Sequence, residues 1–314
     1  MDRSTVPLLL RYPAAVPAHL RGGVVTLGNF DGVHLGHRHV IEALRTVGQG
    51  LPTVVVSFYP HPVRVLRGDK EPRALSSLRE KREHFGELGI QLLYGIHFTK
   101  AFSLVSAKEF IEQVLVKALG AKILVVGEDV AVGHKREGNL GYLQSELPKY
   151  GIVLHVVPKF LSHGERPSSR RIRELLIAGD VQGASALLGA PFTVSARVGH
   201  GDKRGQKIGF PTANVMCGTR LLPKRGVYAC RVQVGNDEFD GVANIGVRPT
   251  FNGVGERLEV HILNQRFASL YGKRLHVRFI DRLRDEKKFN SLEELTTQIK
   301  DDIVTAERRL RDVR

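Results

Sequence analysis

Tryptophan is absent, cysteine occurs twice, and aromatic residues are only 7% of the chain. Cys217 and Cys230 are too few for a disulfide framework, and their spacing fits no zinc or redox motif. They read as two reduced thiols inside a core. The basic clusters carry no interleaved aromatics, so the stacking platform that single-stranded nucleic acids need is missing. No run approaches the ~20 apolar residues of a membrane span. The opening "MDRSTVPLLLRYPAAVPAHLRGG" holds a short apolar patch broken by Arg11, Pro13 and Pro17, not the core of a signal peptide. A cytoplasmic chain with no membrane partner is expected. There is no G-x-x-x-x-G-K-[ST] loop, no internal repeat and no low-complexity segment.

Acidic residues are also in short supply. Against 47 Lys and Arg stand 32 Asp and Glu, a formal charge of +15. Such a balance favours polyanionic partners. The basic residues are scattered in "EKREH", "HKREG", "SSRRIR", "GDKRGQK" and "ERRLRDVR", with no continuous stripe. That distribution points to small phosphate-bearing substrates. A nucleic-acid binder would instead reveal itself by salt-dependent binding to duplex or single strands. The 314 residues, 42% of them hydrophobic, suffice for roughly two domains with their own cores.

The pattern changes near "ALLGAPF", which sets expected domains of 1–187 and 188–314. Before it, apolar runs such as "VVTLG", "TVVVSF", "QLLYGIHF", "ILVVG" and "IVLHVV" alternate with helical segments. Of these, "SAKEFIEQVLVKALG" opens on a capping box, Ser106 and Glu109, and stops at Gly120. Strands alternating with helices predict a doubly wound parallel sheet, α/β in class, with ligands at strand C-terminal ends. After the boundary, "FTVSARV", "GVYACRVQV", "FDGVANIG", "RLEVHIL" and "RLHVRFI" are short strands with no helix between them. One helix follows, "SLEELTTQIKDDIVTAERRL", with a second capping box at Ser291 and Glu294. This predicts an antiparallel β-barrel closed by a C-terminal helix.

"VTLGNFDGVHLGH" places His34 and His37 where a strand turns into a helix. Gly28, Gly32 and Gly36 let the backbone approach a ligand, and the helix start offers unpaired N–H groups and a positive dipole end. Either the imidazoles cap and pack, or they stabilise charge growing on a phosphate chain. No candidate nucleophile is near, so direct displacement at phosphorus is the economical chemistry. In the second domain, Thr212 and Asn214 of "GDKRGQKIGFPTANV" lie two apart and share a face if extended. They would help hold Mg²⁺, or form a local turn. In "RLEVHIL", Leu258, Val260 and Ile262 share one face and Glu259 and His261 the other, where a carboxylate can act as base or simply be exposed.

The H-x-G-H spacing resembles the nucleotidylyltransferase superfamily, which includes class I aminoacyl-tRNA synthetases, but no K-M-S-K-S-like loop is present. The longer "GNFDGVHLGH" resembles the bacterial bifunctional riboflavin kinase/FMN adenylyltransferases, or FAD synthetases. "FYPHP", "LVVGED" and "SSRRIR" resemble that family's next motifs, and "GFPTAN", "GVANIGVRPTF", "LEVHIL", "LYGKRL" and "LRDEKKF" its kinase motifs in order, from about Gly23 to about Asp302. The resemblance implies a Rossmann-like adenylyltransferase and a kinase barrel, with ATP as co-substrate, Mg²⁺ as cofactor, and riboflavin, FMN and FAD as substrates and products. It implies His34, His37 and Glu259 as catalytic groups, with Thr212 and Asn214 on the metal. ATP in the first domain would meet Gly28, Asn29, Phe30, Asp129, Ser168, Ser169 and Arg173, and flavin would meet Phe58, His61 and Pro62. In the kinase, ATP would meet Gly201, Lys203, Gly205, Gly209, Thr212 and Asn244, and flavin would meet Arg284, Glu286 and Phe289. The chain departs from the family pattern at Val130 and Val132 (for phenylalanines), Arg170 (for threonine), His97 (for an acidic residue), Gln206 and Asn264. Val130, Val132 and Arg170 keep open a riboflavin kinase with a degenerate or regulatory first domain, while Gln206 and Asn264 are expected to shift affinity without removing activity.

Overall fold

Alternate residues of the early apolar runs face opposite ways, and that alternation builds a three-layered first unit. The computed structural model describes residues 6–68, 73–162, 164–200, 208–250, 253–265 and 267–313. By its contacts the chain divides into Met1–Ser168 and Ser169–Arg314. In the first unit six parallel strands form one sheet: β1 (Leu8–Arg11), β2 (Val24–Leu27), β3 (Thr53–Tyr59), β4 (Leu92–His97), β5 (Ile123–Gly127) and β8 (Val153–Val157). Their order is β1-β4-β3-β2-β5-β8. The broken apolar patch near the N-terminus, "LLLR", is the edge strand β1, paired to β4.

Val24 and Val55 pack with Ile41 and Leu44 of α1 (Leu35–Val47) and Phe85 of α3 (Leu78–Glu87) on one face. Val25, Val54 and Val56 pack on the other with Phe110 of α4 (Ala107–Phe110) and with Ile111 and Leu115. The latter two belong to a wider π-helical stretch, Ile111–Ala118, that continues α4. The capping box expected at Ser106 and Glu109 is present in both directions. Short elements with weak periodicity are not evident from sequence: α2 (Pro62–Arg67), the hairpin β6 (Ala131–Val132) and β7 (Gly138–Asn139), and α5 (Leu140–Glu146).

The second unit starts with α6 (Ser169–Ala178) and α7 (Val181–Leu188). Six antiparallel strands then close a barrel: β9 (Thr193–Gly199), β10 (Ala213–Val215), β11 (Gly226–Val234), β12 (Asp237–Thr250), β13 (Gly253–Ile262) and β14 (Arg274–Arg284). Helix α8 (Leu292–Arg311) presses Ala306 and Leu310 onto Ala229 and Ile280. Ser291 caps α8 by accepting from the Glu294 N–H, but Glu294 accepts from the Asn290 N–H, so the return bond of a capping box lands one residue early. Both cysteines are free thiols, and burial pushes the Cys230 thiol up. No helix among the described residues is long and apolar enough to cross a membrane.

Gly133 ends β6 with φ +77° and ψ 177°, a region closed to side chains. A Cβ there would lie 2.3 Å from the Ala107 backbone nitrogen. Gly151 also has positive φ but nothing within 4 Å. Gly133→Ala is therefore expected to cost about 3 kcal/mol, strain and overpacking together. Gly151→Ala is expected to cost about 1 kcal/mol. Urea midpoints check this, and equal midpoints for the two variants would contradict it.

Candidate functional site

The turn after β2 is held by its neighbours. The buried Asp31 carboxylate accepts from the N–H groups of Leu75 and Ser76 and from the Ser76 hydroxyl, at 3.0–3.2 Å. Ser76 Oγ in turn accepts from the Gly32 N–H at 2.9 Å. Buried Lys81 donates to the Asn29 carbonyl at 2.6 Å. These bonds support a turn in which Phe30 (φ 48°) and Val33 (φ 43°) occupy the left-handed region. Strain of that kind persists only where surroundings over-determine it. The Phe30 ring is buried against Phe85 and His37, so Phe30 offers a ligand its backbone and not its side chain.

The turn delivers His34 to the N-cap of α1. His34 Nδ1 accepts from the His37 N–H at 3.3 Å, which puts the ring proton on Nε2. The two rings stack with centroids 3.6 Å apart. Gly36 suits this arrangement, since a Cβ there would sit a tight 3.3 Å from the His34 ring. Burial lowers the His34 pKa to about 4, Asp31 opposing and Arg166 adding to the shift. Burial likewise carries His37 well below its ordinary value, with His34 and Lys81 adding. Both imidazoles are therefore neutral near pH 7, and His34 presents an N–H donor at a helix N-terminus.

This site lies at the C-terminal ends of β2 and β5, where the sheet order reverses direction. Asp129 follows β5 and pairs with Arg166 and, at 3.8 Å, with Lys159. Arg166 lowers its carboxyl pKa below the usual range. Arg166 thus acts electrostatically on both Asp129 and His34. Motif reasoning missed Arg166, Lys159, Lys81 and the anchoring Asp31. For Arg166 the available signal was its place just before Pro167 and Ser168.

Phe58 lies at the end of β3 among Phe98, Phe102 and Phe110, at 6.0–6.5 Å. His61 caps α2 by accepting from the Val63 N–H, and Pro62 is the first residue of that helix. Val132 is buried and Val130 packs on the same core as Phe58 and Phe110. His97 ends β4 exposed, its ring stacked on Tyr59 at 5.6 Å. Ser168 closes the first unit, while Ser169 and Arg173 stand in the first turns of α6, in the second. Arg170 is 91% exposed and pairs with Glu174 at 3.0 Å.

In the barrel, strand register makes the site. Glu259 on β13 is paired with Asn214 on β10 and with Asn244 on β12. Paired residues point to one face, so the three side chains form a row. Leu258, Val260 and Ile262 are buried, leaving Glu259 and His261 on the opposite face as the alternation predicts. Arg257, on the Glu259 face, donates to that carboxylate at 2.8 Å. His261 Nδ1 donates to the Pro211 carbonyl at 2.8 Å, fixing the chain just before Thr212, a role its motif alone does not reveal. Thr212, two residues before Asn214, is exposed. A Cβ on Gly246 would lie 2.6 Å from Glu286 Oε1 and 3.4 Å from Asn244 Nδ2, so these two groups share one patch. Arg284 binds Asp302 and lies over the Phe289 ring at 5.9 Å. Gly209 has φ +88° with open space around it. Gly201, Lys203, Gly205 and Gln206 lie outside the described residues. Asn264 takes a left-handed turn (φ 56°) that asparagine tolerates, and donates to Glu307.

The two units define a class: a two-domain enzyme of phosphate chemistry, with a nucleotide-handling α/β unit followed by a small barrel. Residues 16–171 match the FAD synthetase family and residues 188–310 the riboflavin kinase family. The bifunctional riboflavin kinase/FMN adenylyltransferase of Escherichia coli K12 is 41% identical over 288 residues, 91% of this chain and 92% of that one. Its namesake in Bacillus subtilis is 38% identical over 287 residues, 89% and 90% of the two chains. A Streptococcus pneumoniae structure described as a macrolide-efflux protein superposes with a TM-score of 0.84 at 30% identity, over 96% of this chain and 99% of that one. This chain belongs to the bifunctional riboflavin kinase/FMN adenylyltransferase family. Both enzyme domains are present, and the single-activity alternative is not favoured.

The buried neutral His34 makes the first unit acid-sensitive. Between its ordinary pKa of 6.5 and its folded value of about 4, the unfolded chain binds a proton that the folded chain refuses. Stability is full above pH 6.5 and falls as pH drops through that window, by about 3 kcal/mol for this group. Urea midpoints at pH 7 and pH 5 should separate in the wild type and separate less in His34→Gln, where only His37 of the pair still resists protonation. An unchanged separation would show that His34 is protonated in the folded state.

Proposed function

We propose that this chain makes FAD in two ATP-dependent steps, each on its own unit, as a cytoplasmic enzyme whose two free thiols suit a reducing compartment. The observation that carries the kinase step is the row Asn214–Glu259–Asn244 beside Thr212. Glu259 takes the proton of the ribityl 5′-hydroxyl of riboflavin, and the oxygen attacks the γ-phosphorus of ATP. Arg257 holds the carboxylate on its face until the hydroxyl arrives. The Thr212 hydroxyl and Asn214 amide oxygen are hard donors that fit a divalent cation, and Mg²⁺ held there would neutralise charge on the ATP phosphates. Arg284, Glu286 and Phe289 supply the flavin side, and Asn244 with the 201–209 segment the ATP side.

In the first unit, a phosphate oxygen of FMN attacks the α-phosphorus of a second ATP, and pyrophosphate leaves. What supports this is the stacked pair of neutral imidazoles at the α1 N-terminus. A preorganised neutral donor tightens its hydrogen bond as charge grows on the phosphate oxygen, with no solvent to reorganise. Backbone groups at Gly28, Asn29 and Phe30 line the phosphate path. Arg166 and Ser168 add guanidinium and hydroxyl donors, and Asp129 contacts the nucleotide. Phe58, His61 and Pro62 face the flavin. His97, Arg170, Val130 and Val132 leave these donors in place, so we expect adenylyl transfer to persist.

Riboflavin, ATP and Mg²⁺ incubated with the protein should give FMN and then FAD by chromatography. FMN as the sole product would overturn the second step. Glu259→Gln is expected to abolish FMN formation while converting supplied FMN to FAD at the wild-type rate. Normal FMN output would remove Glu259 from the base role. His34→Ala with His37→Ala should leave FMN formation intact and lower FAD output by more than ~100-fold. Undiminished FAD output would reduce both residues to capping and packing.

A further inference from the structure

Helix α8 does more than close the barrel. Asp302, in its middle, is a buried carboxylate whose side chain is 7% exposed. It accepts two bonds from Arg284 at the end of β14, Nε to Oδ1 at 2.8 Å and Nη2 to Oδ2 at 2.7 Å. Gln298, one turn earlier, donates to the same carboxylate at 3.1 Å. The segment after Arg284 is tied to α8 again at its far end, where the Asn290 N–H donates to Glu294 at 3.0 Å. A bidentate arginine–carboxylate pair fixes the guanidinium plane as well as its position. Of the five N–H groups on Arg284, three are committed, to Asp302 twice and to the Asp285 carbonyl at 3.0 Å. The two that remain, on Nη1 and Nη2, are aimed by the pair with Asp302, and one face of the plane lies over Phe289.

We propose that Asp302 is a positioning residue for the flavin site of the kinase, acting on flavin through Arg284. This rests on the flavin-side reading of Arg284, Glu286 and Phe289 given above. A ring system with carbonyl oxygens along one edge and a flat apolar face suits what Arg284 and Phe289 present: two N–H donors and an aromatic surface. Asp302 never touches the flavin. It holds the guanidinium still, so that the donors need not be ordered when the substrate arrives. A lysine could not be held in this way, since its single ammonium has no plane to fix.

Steady-state kinetics of FMN formation by the full chain test this. Asp302→Asn keeps the shape of the carboxylate and removes its charge. Its riboflavin KM is expected to rise about tenfold, the worth of one charge-assisted bond pair, with ATP KM within about twofold of wild type. Asp302→Glu restores the charge one methylene away and should fall between the two. Arg284→Gln should raise riboflavin KM at least as far. The double variant should match Arg284→Gln within about twofold, because the two residues act as one unit. Asp302→Asn with unchanged riboflavin KM, or with riboflavin and ATP KM raised equally, would overturn the proposal while leaving Arg284 on the flavin side. Arg284→Gln with unchanged riboflavin KM would overturn the flavin-side reading, and the proposal with it. Thermal melts confirm folding of each variant. If Asp302→Asn does not fold, Gln298→Ala takes its place, with an expected two- to threefold rise in riboflavin KM, on the order of one neutral hydrogen bond. No rise there would count against the proposal equally.

Discussion

One local hydrogen bond organises the first unit's site: the His37 N–H donating to His34 Nδ1. It satisfies an orphan donor at the start of α1. It also fixes which nitrogen of His34 carries the proton, so the imidazole that caps the helix is the same one that points an N–H outward. Capping and the charge stabilisation proposed above, alternatives at the level of sequence, are compatible in a single ring. The H-x-G-H spacing follows from this. The third residue after the cap supplies the bonded N–H, and a side chain at Gly36 would crowd the His34 ring. Burial then keeps both rings neutral, which suits donation to a phosphate oxygen better than proton exchange with it.

The barrel reaches comparable precision by another route. The groups proposed for its chemistry, Asn214, Asn244 and Glu259, come from three strands, and β-sheet register aligns them. Nothing in this row depends on a loop. A slip of one residue in β13 would turn Glu259 inward and expose Leu258, so the apolar face of the strand enforces the position of the carboxylate. His261 adds a second constraint from the same strand by holding the Pro211 carbonyl, which ties the start of β10 to the face that carries Glu259. The E-x-H pattern therefore couples a chemical group to a structural one at a spacing of two.

Much of this is legible in the amino-acid sequence. Long apolar runs with strong periodicity, β2 to β5 and β11 to β14, announce themselves because burial of one or both faces leaves no choice of residue type. The alternation in "RLEVHIL" is enough to place Glu259 on the correct face. Elements set by tertiary partners are not legible. Strand β1 reads as a stray apolar patch until β4 is beside it, and β10 has only three residues. Residues that act through long-range contacts are equally silent. Asp31 looks like part of a turn motif, yet its carboxylate bonds residues 44 and 45 positions away. Arg166 lies 37 residues from Asp129 and gives no periodic signal.

Two of the positions that depart from the family pattern, Arg170 and Val132, have clear structural settings. Arg170 projects from the outer side of α6 into solvent, held by Glu174 one turn on. Its added charge is therefore screened and paired. Val132, on strand β6 of the hairpin, is buried in the core with Ala107, and the hairpin's Gly133 and Gly138 have no room for a Cβ beside that alanine. A larger side chain at 132 would need space that this close approach does not leave. The same core already holds Phe58, Phe102 and Phe110. Aromatic surface is thus supplied by β3 and the segment before α4 and not by the hairpin. The hairpin thus meets Ala107 of α4 through glycine and valine, while the phenylalanines of the same core come from β3, α4 and the segment before it.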